Sequence, residues 1–405
     1  MHILFLTDNF IPEVNAPAIR TYEHAKVWIE QGYKVTVITC FPNYPEGKIY
    51  DGYKNKLYKY ENYEGIKVLR VWTYMSRNSG IFLRSLDQLS FMISSFIASF
   101  FIKSFDIIIS TSPQFFTTIS GYFVGLIRRK PWVFELRDIW SDSLSAVGYK
   151  YNTLIRSVRF LERFFYKRAR LIVPVTNNFK KILINLGINK EKIKVITNGI
   201  NLSKFSPTPK SRDLISKYNL ENKFVLGYIG TLGMAHSIET LLDALKDLEK
   251  DYDDKISMII VGEGANKEFL LNYLERLKIR NVHFINRVSH EEIINYWSVI
   301  DTSIIHLKNV EEFHSVIPSK LFESVAMGKP VLLGLKGETA EIVSSNNVGA
   351  LFEPEDSKDL KEKIVYFFEN KDLLSIYRKN GIKLAVEYDR KNLALLMLEE
   401  LKKII

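Results

Sequence analysis

Lys320 and Glu323 stand three residues apart in a short segment that ends at Gly328 and Pro330. This punctuation predicts a helix with Ser319 as its N-cap, and the spacing places both charged side chains on one face. A helix N-terminus offers unpaired N–H groups and the positive end of the dipole, which suits a phosphate. Lys320 would add a cation for a diphosphate, and Glu323 could accept both hydroxyls of a ribose. The pattern also fits a surface helix on which Glu323 only complements the dipole and Lys320 is solvated.

The composition bounds the class of protein. Of the 405 residues, 46% are hydrophobic and 25% are charged, which is typical of soluble globular proteins. This length favours two domains of roughly 200 residues each. The single cysteine, Cys40, excludes an internal disulfide and favours a reducing compartment. None of the seven histidines falls into a metal-binding motif, so we expect neither a metal nor a cofactor.

The net charge of +10 is unevenly distributed along the chain. Residues 1–190 carry 26 Lys and Arg against 14 Asp and Glu, a net charge of +12, whereas residues 191–405 carry −2. Such asymmetry predicts a polyanionic partner of the first half, either nucleic acid or an anionic membrane surface. Nothing in the chain resembles a base-reading module, so we expect no nucleic acid.

Two segments of the first half are candidates for a membrane surface. Basic and apolar side chains interleave from Arg156 to Arg170 and predict an amphipathic, cationic helix. This helix fits anionic lipid headgroups, or it packs on a sheet with a solvated basic face. The apolar stretch Leu86–Ser110 is broken by serines, Lys103 and Asp106, so it falls short of a spanning helix. It predicts a helix and a strand, either buried or partly dipped into a bilayer interface.

Apolar runs alternate with helical patterns along the whole chain, which predicts strands covered by helices on both faces. The first run stops at Thr7 and Asp8, so it indicates a buried strand rather than a secretory signal. In the first half, the predicted strands are His2–Thr7, Lys34–Thr39, Lys67–Trp72, Ile107–Ser110, Trp132–Leu136, Leu171–Thr176 and Ile193–Thr197. We therefore predict an α/β protein with two Rossmann-like, doubly wound parallel sheets.

The Pro-punctuated stretch 203–212 is the predicted linker between two domains. The N-terminal domain would span residues 1–202 and the C-terminal domain residues 213–387. A helix over residues 388–405 is expected to pack back on the N-terminal domain. Two such domains place the expected site in the cleft between them.

Two glycine turns follow predicted strands in the second half, at Gly230 to Gly233 and at Gly262 to Gly264. Glycine lets a backbone approach a phosphate closely, although glycines also make plain tight turns. The carboxyl ends of parallel strands share one edge of a sheet, so we expect both turns to lie beside the helix start at residue 320. Together they predict a nucleotide pocket.

The order of these motifs resembles the retaining family-4 glycosyltransferases, which have the two-domain GT-B fold. The segments that carry this resemblance are Asn198–Asn201, Gly230–Leu232, Gly262–Gly264, Ser319–Glu323 and Ala326–Pro330. The first half resembles the WbuB-like branch of that family, which is associated with surface-polysaccharide assembly and N-acetyl-L-fucosamine transfer. Its matching segments are Asn9–Ala18, Phe41 and Pro42 with Pro45 and Gly47, and Glu135–Trp140.

The resemblance implies roles for individual residues toward a UDP-sugar donor. Glu323 would hold the ribose hydroxyls, and Lys320 would neutralise the leaving diphosphate. The other implied donor contacts are Gly230, Thr231, Leu232, Gly233, Gly262, Gly264, Arg287, Val288, Ser319 and Leu321.

Arg137 and Asp138 directly follow an apolar strand, which would aim both side chains into the cleft. We predict that they take part in catalysis and, with Glu13 and Asn15, form the acceptor side. A structural Arg–Asp pair is the alternative.

The chain departs from the family pattern at three positions. Thr231 and His236 stand where the family often has an Arg and a Lys, so the cationic role would fall on Lys320, assisted by Arg287 or Arg137. In addition, Ser315 replaces a family glutamate, for which Glu312 or His314 is a weak substitute.

The resemblance implies a retaining, metal-independent glycosyltransferase of O-antigen, capsule or lipopolysaccharide biosynthesis. Because a diphosphate is already a good leaving group, a lysine and helix N–H groups could supply the charge stabilisation without a metal. The acceptor would be a lipid-linked glycan, and the protein would be cytoplasmic and peripheral on the inner face of the bacterial cytoplasmic membrane.

Three rival functions stay open. A GT-B-like sugar-nucleotide epimerase would need no lipid acceptor and no basic docking face. A glycan phosphorylase would need a pyridoxal lysine site, which we cannot locate. A non-catalytic nucleotide-sugar-binding scaffold would explain the departures at Thr231, His236 and Ser315.

Overall fold

Two β-sheets, each covered by helices, make up the part of the chain that the structure describes. The structure is a computed structural model, and it describes residues 1–44, 46–75, 81–112, 114–141, 152–252, 254–289 and 291–405. Pro45, one of the residues that carry the family resemblance, lies outside the described residues. The chain divides into two compact units, Met1–Asn198 with Arg390–Ile405, and Gly199–Asp389.

The first unit contains a seven-stranded sheet in the order β3-β4-β2-β1-β5-β6-β7. Its strands are β1 (His2–Leu6), β2 (Lys34–Cys40), β3 (Tyr58–Tyr63), β4 (Ile66–Val71), β5 (Ile107–Thr111), β6 (Trp132–Leu136) and β7 (Leu171–Pro174). Neighbouring strands are parallel, except that β3 runs antiparallel to β4. The helices of this part are α1 (Ala16–Glu30), α2 (Ile81–Ser99), α3 (Phe115–Arg128), α4 (Asn152–Arg168) and α5 (Asn177–Asn185).

Two elements of this sheet differ from the sequence prediction. The edge strand β3 was missed because its sequence alternates tyrosines with polar residues that are mostly exposed, rather than forming an apolar run. The predicted strand Ile193–Thr197 is wrong, since it forms an isolated bridge, from Ile193 to Ile172, and two main-chain hydrogen bonds to β7 rather than a strand of the sheet. Its later carbonyls accept hydrogen bonds from the Arg20 guanidinium, at 3.0 Å for Ile196 and 2.5 Å for Thr197.

The second unit contains a six-stranded, wholly parallel sheet in the order β10-β9-β8-β11-β12-β13. Its strands are β8 (Phe224–Ile229), β9 (Ile256–Val261), β10 (Val282–Ile285), β11 (Thr302–His306), β12 (Val331–Gly334) and β13 (Gly349–Leu351). Its helices are α6 (Arg212–Lys217), α7 (Glu239–Tyr252), α8 (Lys267–Leu277), α9 (Ile293–Val299), α10 (Ser319–Ala326), α11 (Glu338–Ser345), α12 (Ser357–Glu369) and α13 (Lys371–Glu387). The predicted fold class, α/β with two parallel-sheet domains, is confirmed.

Helix α14 (Arg390–Lys402) belongs to the first unit, although it follows the second unit in the chain. The indole of Trp28 in α1 donates a hydrogen bond to the carbonyl of Ala394 at 2.8 Å. The α14 side chains that are buried in the core around Trp28 are Leu393, Met397, Leu398 and Leu401. The second unit is therefore inserted into the first, which ends at Asn198 where the sequence suggested residue 202.

Candidate functional site

The predicted donor residues follow strands of the second sheet at one edge. Because β8 to β11 are parallel, their carboxyl ends lie together at that edge. The turn Gly230–Gly233 follows β8, Gly262–Gly264 follows β9, Arg287 and Val288 follow β10, and α10 is the first α-helix after β11. The strand order reverses between β8 and β11, which is the switch point where open α/β sheets bind ligands.

Lys320 is buried at this switch point, and Tyr228 fixes its ammonium group. Lys320 Nζ donates a hydrogen bond to the Tyr228 hydroxyl and lies 3.8 Å from the centroid of the ring. The hydroxyl in turn donates to the Thr231 carbonyl at 2.7 Å. Burial lowers the pKa of Lys320 to about 7, against the opposing effect of the Glu323 carboxylate. Lys320 is therefore divided between its neutral and charged forms near neutral pH.

Gly230 leaves room for the Lys320 side chain. A Cβ atom added at Gly230 would lie 2.2 Å from Lys320 Cε and 3.1 Å from Nζ. Its φ of +147° is also a conformation that residues with a side chain rarely adopt. The first glycine turn thus lies directly against Lys320.

The two glycine turns pack on each other. A Cβ at Gly262 would lie 1.9 Å from the Gly230 carbonyl oxygen, and one at Gly264 would lie 2.3 Å from the Leu232 carbonyl oxygen. The Leu232 N–H donates to the Glu263 carbonyl at 2.9 Å. The structure therefore explains the glycines at 262 and 264 by the support that the second turn gives the first, without any ligand contact.

Four main-chain N–H groups around Lys320 have no hydrogen-bond partner within the described ranges, namely those of Thr231, Gly233, Ser319 and Lys320 itself. Helix α10 begins at Ser319, with Pro318 in the N-cap position, so the prediction of Ser319 as the N-cap is wrong. The correction leaves the Ser319 N–H at the open end of the helix. These four N–H groups and the Lys320 ammonium, which we call the phosphate cradle, suit the oxygens of a phosphate.

The other predicted donor residues differ in what they can offer. The side chains of Leu232 and Leu321 are fully buried, so only their main chain could meet a ligand. Glu323 is half-buried in α10, Arg287 is exposed, and Val288 packs against the core.

His236 does not supply the cation that the family pattern has at this position. Burial, and then the charge of Lys320, lowers the pKa of His236 to about 3. Its imidazole is therefore neutral at neutral pH and contacts the Tyr228 ring edge-on, with the ring centroids 6.1 Å apart. The positive charge of the cradle comes from Lys320 and the main-chain dipoles.

Asn15 and Glu13 are engaged in local structure. Asn15 is the N-cap of α1, with its Oδ1 accepting from the Ala18 N–H at 2.9 Å and its Nδ2 donating to Asn9 Oδ1 at 2.6 Å. Both ends of this amide are thus occupied, which argues against the predicted acceptor role.

Glu13 is buried and holds the loop after β2. Its Oε1 accepts from the N–H groups of Asn43 and Tyr44, at 2.8 Å and 2.9 Å. Its Oε2 is buried without a hydrogen-bond partner, and burial raises the pKa of this carboxyl group. Any contact with an acceptor falls to Oε2.

Arg137 and Asp138 follow β6, and Ser112 at the end of β5 fixes their main chain. Ser112 Oγ accepts from the N–H of Arg137 at 2.9 Å and contacts the Asp138 carbonyl at 3.2 Å. Among the described residues no salt bridge joins Arg137 to Asp138, which argues against the alternative of a structural Arg–Asp pair. Sequence reasoning did not single out Ser112 or Tyr228, because both act through contacts between strands or helices that are distant in the chain.

A cavity of about 550 Å³ lies at the opposite edge of the second sheet, near the starts of β8, β11 and β12. Its basic lining residues are Lys210, Lys223, Lys329, Lys371 and Arg378. It contains none of the predicted site residues, and parallel sheets bind ligands at the carboxyl edge.

Two protein-family models match the chain. The model described as Glycosyltransferase Family 4 matches residues 18–204, and the model described as Glycosyl transferases group 1 matches residues 211–384. The first range contains β2 to β7, and the second contains all six strands of the second sheet.

Curated relatives are distant in sequence. The putative colanic acid biosynthesis glycosyl transferase WcaI of Escherichia coli is 23% identical, with 81% of this chain and 82% of WcaI covered. The N,N'-diacetylbacillosaminyl-diphospho-undecaprenol alpha-1,3-N-acetylgalactosaminyltransferase of Campylobacter jejuni is 24% identical, with 65% and 68% covered.

Solved structures share the fold over the whole chain. HepE of Anabaena in complex with UDP superposes with a TM-score of 0.73 at 19% identity, covering 100% of both chains. WaaG, a glycosyltransferase involved in lipopolysaccharide biosynthesis, superposes with a TM-score of 0.71 at 15% identity, covering 98% of both chains. The chain is a glycosyltransferase of the GT-B fold, in which a family-4 domain precedes a group-1 domain.

Proposed function

We propose that this protein transfers a sugar from a UDP-sugar to a lipid-linked glycan in bacterial surface-polysaccharide biosynthesis, with retention of the anomeric configuration. The observation that carries the donor side is the phosphate cradle, which consists of Lys320 and four N–H groups without partners among the described residues, in segments that follow β8 and β11 at the switch point. HepE, solved with UDP and with UDP-glucose, supports a uridine nucleotide. The Campylobacter relative, named for a diphospho-undecaprenol substrate, and WcaI, named for colanic acid biosynthesis, support the acceptor class and the pathway.

The chemistry asked of the cradle is stabilisation of negative charge. As the bond between the sugar and the diphosphate breaks, charge develops on the departing oxygen. We propose that the Lys320 ammonium and the N–H groups at the start of α10 stabilise this charge, since preorganised donors need little reorganisation during the reaction. We propose that this arrangement works without a metal ion.

The remaining parts of the donor have candidate partners along the same edge. We propose that the Glu323 carboxylate accepts both ribose hydroxyls and that the main chain at Arg287 and Val288 contacts the base. The resemblance of the first half to the WbuB-like branch favours N-acetyl-L-fucosamine as the sugar.

Thermal unfolding with UDP, GDP, ADP and dTDP tests the donor class, because a nucleotide that binds only the folded protein raises the midpoint. We expect a rise that is largest with UDP, absent in Lys320→Ala and retained in Lys336→Ala, which removes an exposed lysine of the same unit. Equal responses of wild type and Lys320→Ala would contradict the assigned cradle. Release of UDP that requires a lipid-linked acceptor would separate the transferase from a scaffold and from an epimerase.

The surface of the first unit supports the membrane part of the proposal. An apolar face runs over α2, α3 and α4, with side chains that are 36% to 70% exposed. They are Leu89, Ile93, Ile97, Phe100, Phe101, Phe123, Leu126, Ile127, Phe160, Leu161 and Phe164. The three helices are in contact. The ring centroids of Tyr122 in α3 and Phe164 in α4 lie 6.0 Å apart. The Arg128 guanidinium of α3 donates a hydrogen bond to the carbonyl of Lys103, which follows α2, at 2.8 Å.

Basic residues lie on the same three helices or shortly after them, and we call this set of exposed apolar and basic side chains the docking face. They are Lys103, Arg128, Arg129, Lys130, Arg156, Arg159, Arg163, Lys167 and Arg168. No helix within the described ranges is long and apolar enough to cross a bilayer. Exposed apolar side chains with cations on the same helices suit the interface of an anionic membrane, and we propose that the protein docks there, peripherally on the inner face of the cytoplasmic membrane.

A further inference from the structure

Arg137 belongs to a cluster of charged side chains in the first unit that holds three arginines and two glutamates. Arg20 Nε pairs with Glu135 at 2.9 Å, and Arg390 pairs with Glu23 at 2.7 Å. Both carboxylates are therefore paired with other arginines. Arg137 is the one cation of this cluster, among the residues that the structure describes, without a salt bridge.

Arg137 is partly exposed as a residue, but two nitrogens of its guanidinium, Nε and Nη1, are buried without hydrogen-bond partners. Burial lowers the pKa of Arg137 to about 10. The Glu135 carboxylate raises this pKa, and the charges of Arg20 and Arg390 lower it further. Nearby His24 is neutral, because burial and these arginines hold its pKa well below its usual value. A buried guanidinium with unsatisfied donors is strongly unfavourable unless an anion completes it.

The main chain presents Arg137 at the carboxyl edge of the first sheet, where Ser112 holds its N–H. This is the edge at which α/β sheets bind ligands. A planar guanidinium matches the oxygens of phosphate and carboxylate better than any other side chain.

We propose that Arg137 binds an oxyanion of the acceptor, a phosphate or a carboxylate, so that the acceptor rather than the fold neutralises this buried charge. The inference rests on the proposed function, since it assumes that the first unit receives the acceptor. The diphosphate of a lipid carrier and the carboxylate of an acidic sugar share this chemistry. Arg137 is thus a specificity-determining residue for an anionic acceptor.

The test is thermal unfolding in saturating UDP, which fills the donor cradle first, with inorganic pyrophosphate, inorganic phosphate or glucuronate added afterwards. We expect an anion to raise the midpoint of the wild type and not that of Arg137→Met. Without an anion, Arg137→Met should unfold at a higher temperature than the wild type, because it removes an uncompensated buried charge. If Arg137 were purely structural, Arg137→Met would instead unfold at a lower temperature than the wild type.

Arg137→Lys keeps the charge but loses the planar donor set, so we expect its anion affinity to fall about 10-fold or more. Lys67→Gln removes an exposed charge of the same unit that lies outside the docking face, and it should respond like the wild type. Should Arg137→Met fail to fold, Arg137→Gln serves for the same comparison. A response confined to pyrophosphate and phosphate indicates a lipid diphosphate, and a response to glucuronate indicates an acidic sugar.

The proposal is overturned if no anion raises the wild-type midpoint beyond UDP, or if Arg137→Met destabilises the free protein and responds to anions like the wild type. The UDP response is recorded first in every variant. A normal UDP response without an anion response therefore refutes this inference alone, whereas loss of the UDP response in the wild type refutes the proposed function.

Discussion

Lys320 Nζ lies 3.8 Å from the ring centroid of Tyr228 and donates a hydrogen bond to the hydroxyl of the same residue. A neutral phenol compensates a buried ammonium only in part, so burial dominates and lowers the pKa of Lys320 to about 7. The half-buried Glu323 carboxylate raises this pKa but does not restore the usual value. A bound diphosphate would raise the pKa further, because an opposite charge favours the ammonium form.

UDP binding should therefore take up a proton above neutral pH. Between about pH 7 and pH 9, Lys320 is mainly neutral in the free protein and would be charged in the complex, so the affinity for UDP should fall by up to about tenfold per pH unit. Calorimetric titration at pH 8 in two buffers with different ionisation enthalpies measures the proton uptake. Lys320→Met should bind UDP weakly and without proton uptake, and uptake that persists in this variant would assign the proton to another group.

The same pKa sets the sign of a stability change. The Lys320 pKa is about 7 in the folded protein and 10.5 for an ordinary lysine, so the unfolded chain binds more protons between these values. The free energy of unfolding should rise with pH across this window more in the wild type than in Lys320→Met. Urea unfolding of both proteins at pH 7 and pH 9.5 compares the slopes, and parallel behaviour would show that folding does not lower the pKa of Lys320.

A pair of glycine substitutions tests the contact between the first glycine turn and Lys320. Gly230→Ala would place a Cβ atom 2.2 Å from Lys320 Cε, whereas Gly233→Ala would meet nothing closer than 3.6 Å. We expect Gly230→Ala to displace the lysine and to weaken UDP binding about 10-fold or more, while Gly233→Ala keeps the wild-type affinity. Equal affinities in calorimetric titrations would contradict the predicted geometry.

Glu323→Gln tests the assigned ribose contact. A carboxylate accepts two hydroxyl hydrogen bonds, and an amide can accept only through its single oxygen. We expect the KM for the UDP-sugar to rise by about 10-fold or more, with a smaller change in kcat. An unaltered KM in steady-state kinetics would remove Glu323 from the ribose site.

Cosedimentation with vesicles tests the docking face. The double variant Ile97→Ser with Phe101→Ser removes apolar contacts with the membrane. The double variant Arg159→Glu with Arg163→Glu reverses two charges, and each basic residue contributes about 1 kcal/mol of attraction to an anionic surface. Both double variants should bind anionic vesicles more weakly than the wild type, and only the wild-type and serine proteins should stay strongly salt-dependent. The control is Phe269→Ser, which alters an equally exposed aromatic residue of the second unit. Binding that neither double variant changes would place the contact elsewhere.

The fold was largely predictable because helices cover both faces of most strands. Runs such as that of β5 or β9 are then continuously apolar and stand out from the helical patterns around them. The edge strand β3 lacks this signal, since its alternating tyrosines and polar residues are exposed. The stretch Ile193–Thr197 has the apolar signal, but it makes two main-chain hydrogen bonds to β7 rather than a full strand, and its last two carbonyls accept from the Arg20 guanidinium.

The candidate site was predictable where a role depends on local sequence. Lys320 and the turn at Gly230 are placed by strand ends and a helix start, which the sequence shows. Tyr228 was missed because its hydroxyl meets Lys320 only after α10 packs beside β8. The capping role of Asn15 was also missed, although it could have been predicted from sequence. Asn15 precedes Pro17, and proline is typical of the first turn of a helix.

The position of α14 has a consequence for the order in which this protein folds during synthesis. The ribosome makes the residues of the second unit before it makes Leu393, Met397 and Leu401, which complete the core around Trp28. The apolar side of α1 therefore remains exposed to solvent while the second unit is translated and can fold. We expect the nascent first unit to need protection from aggregation during that interval, and a fragment that lacks α14 to inherit the same exposed surface.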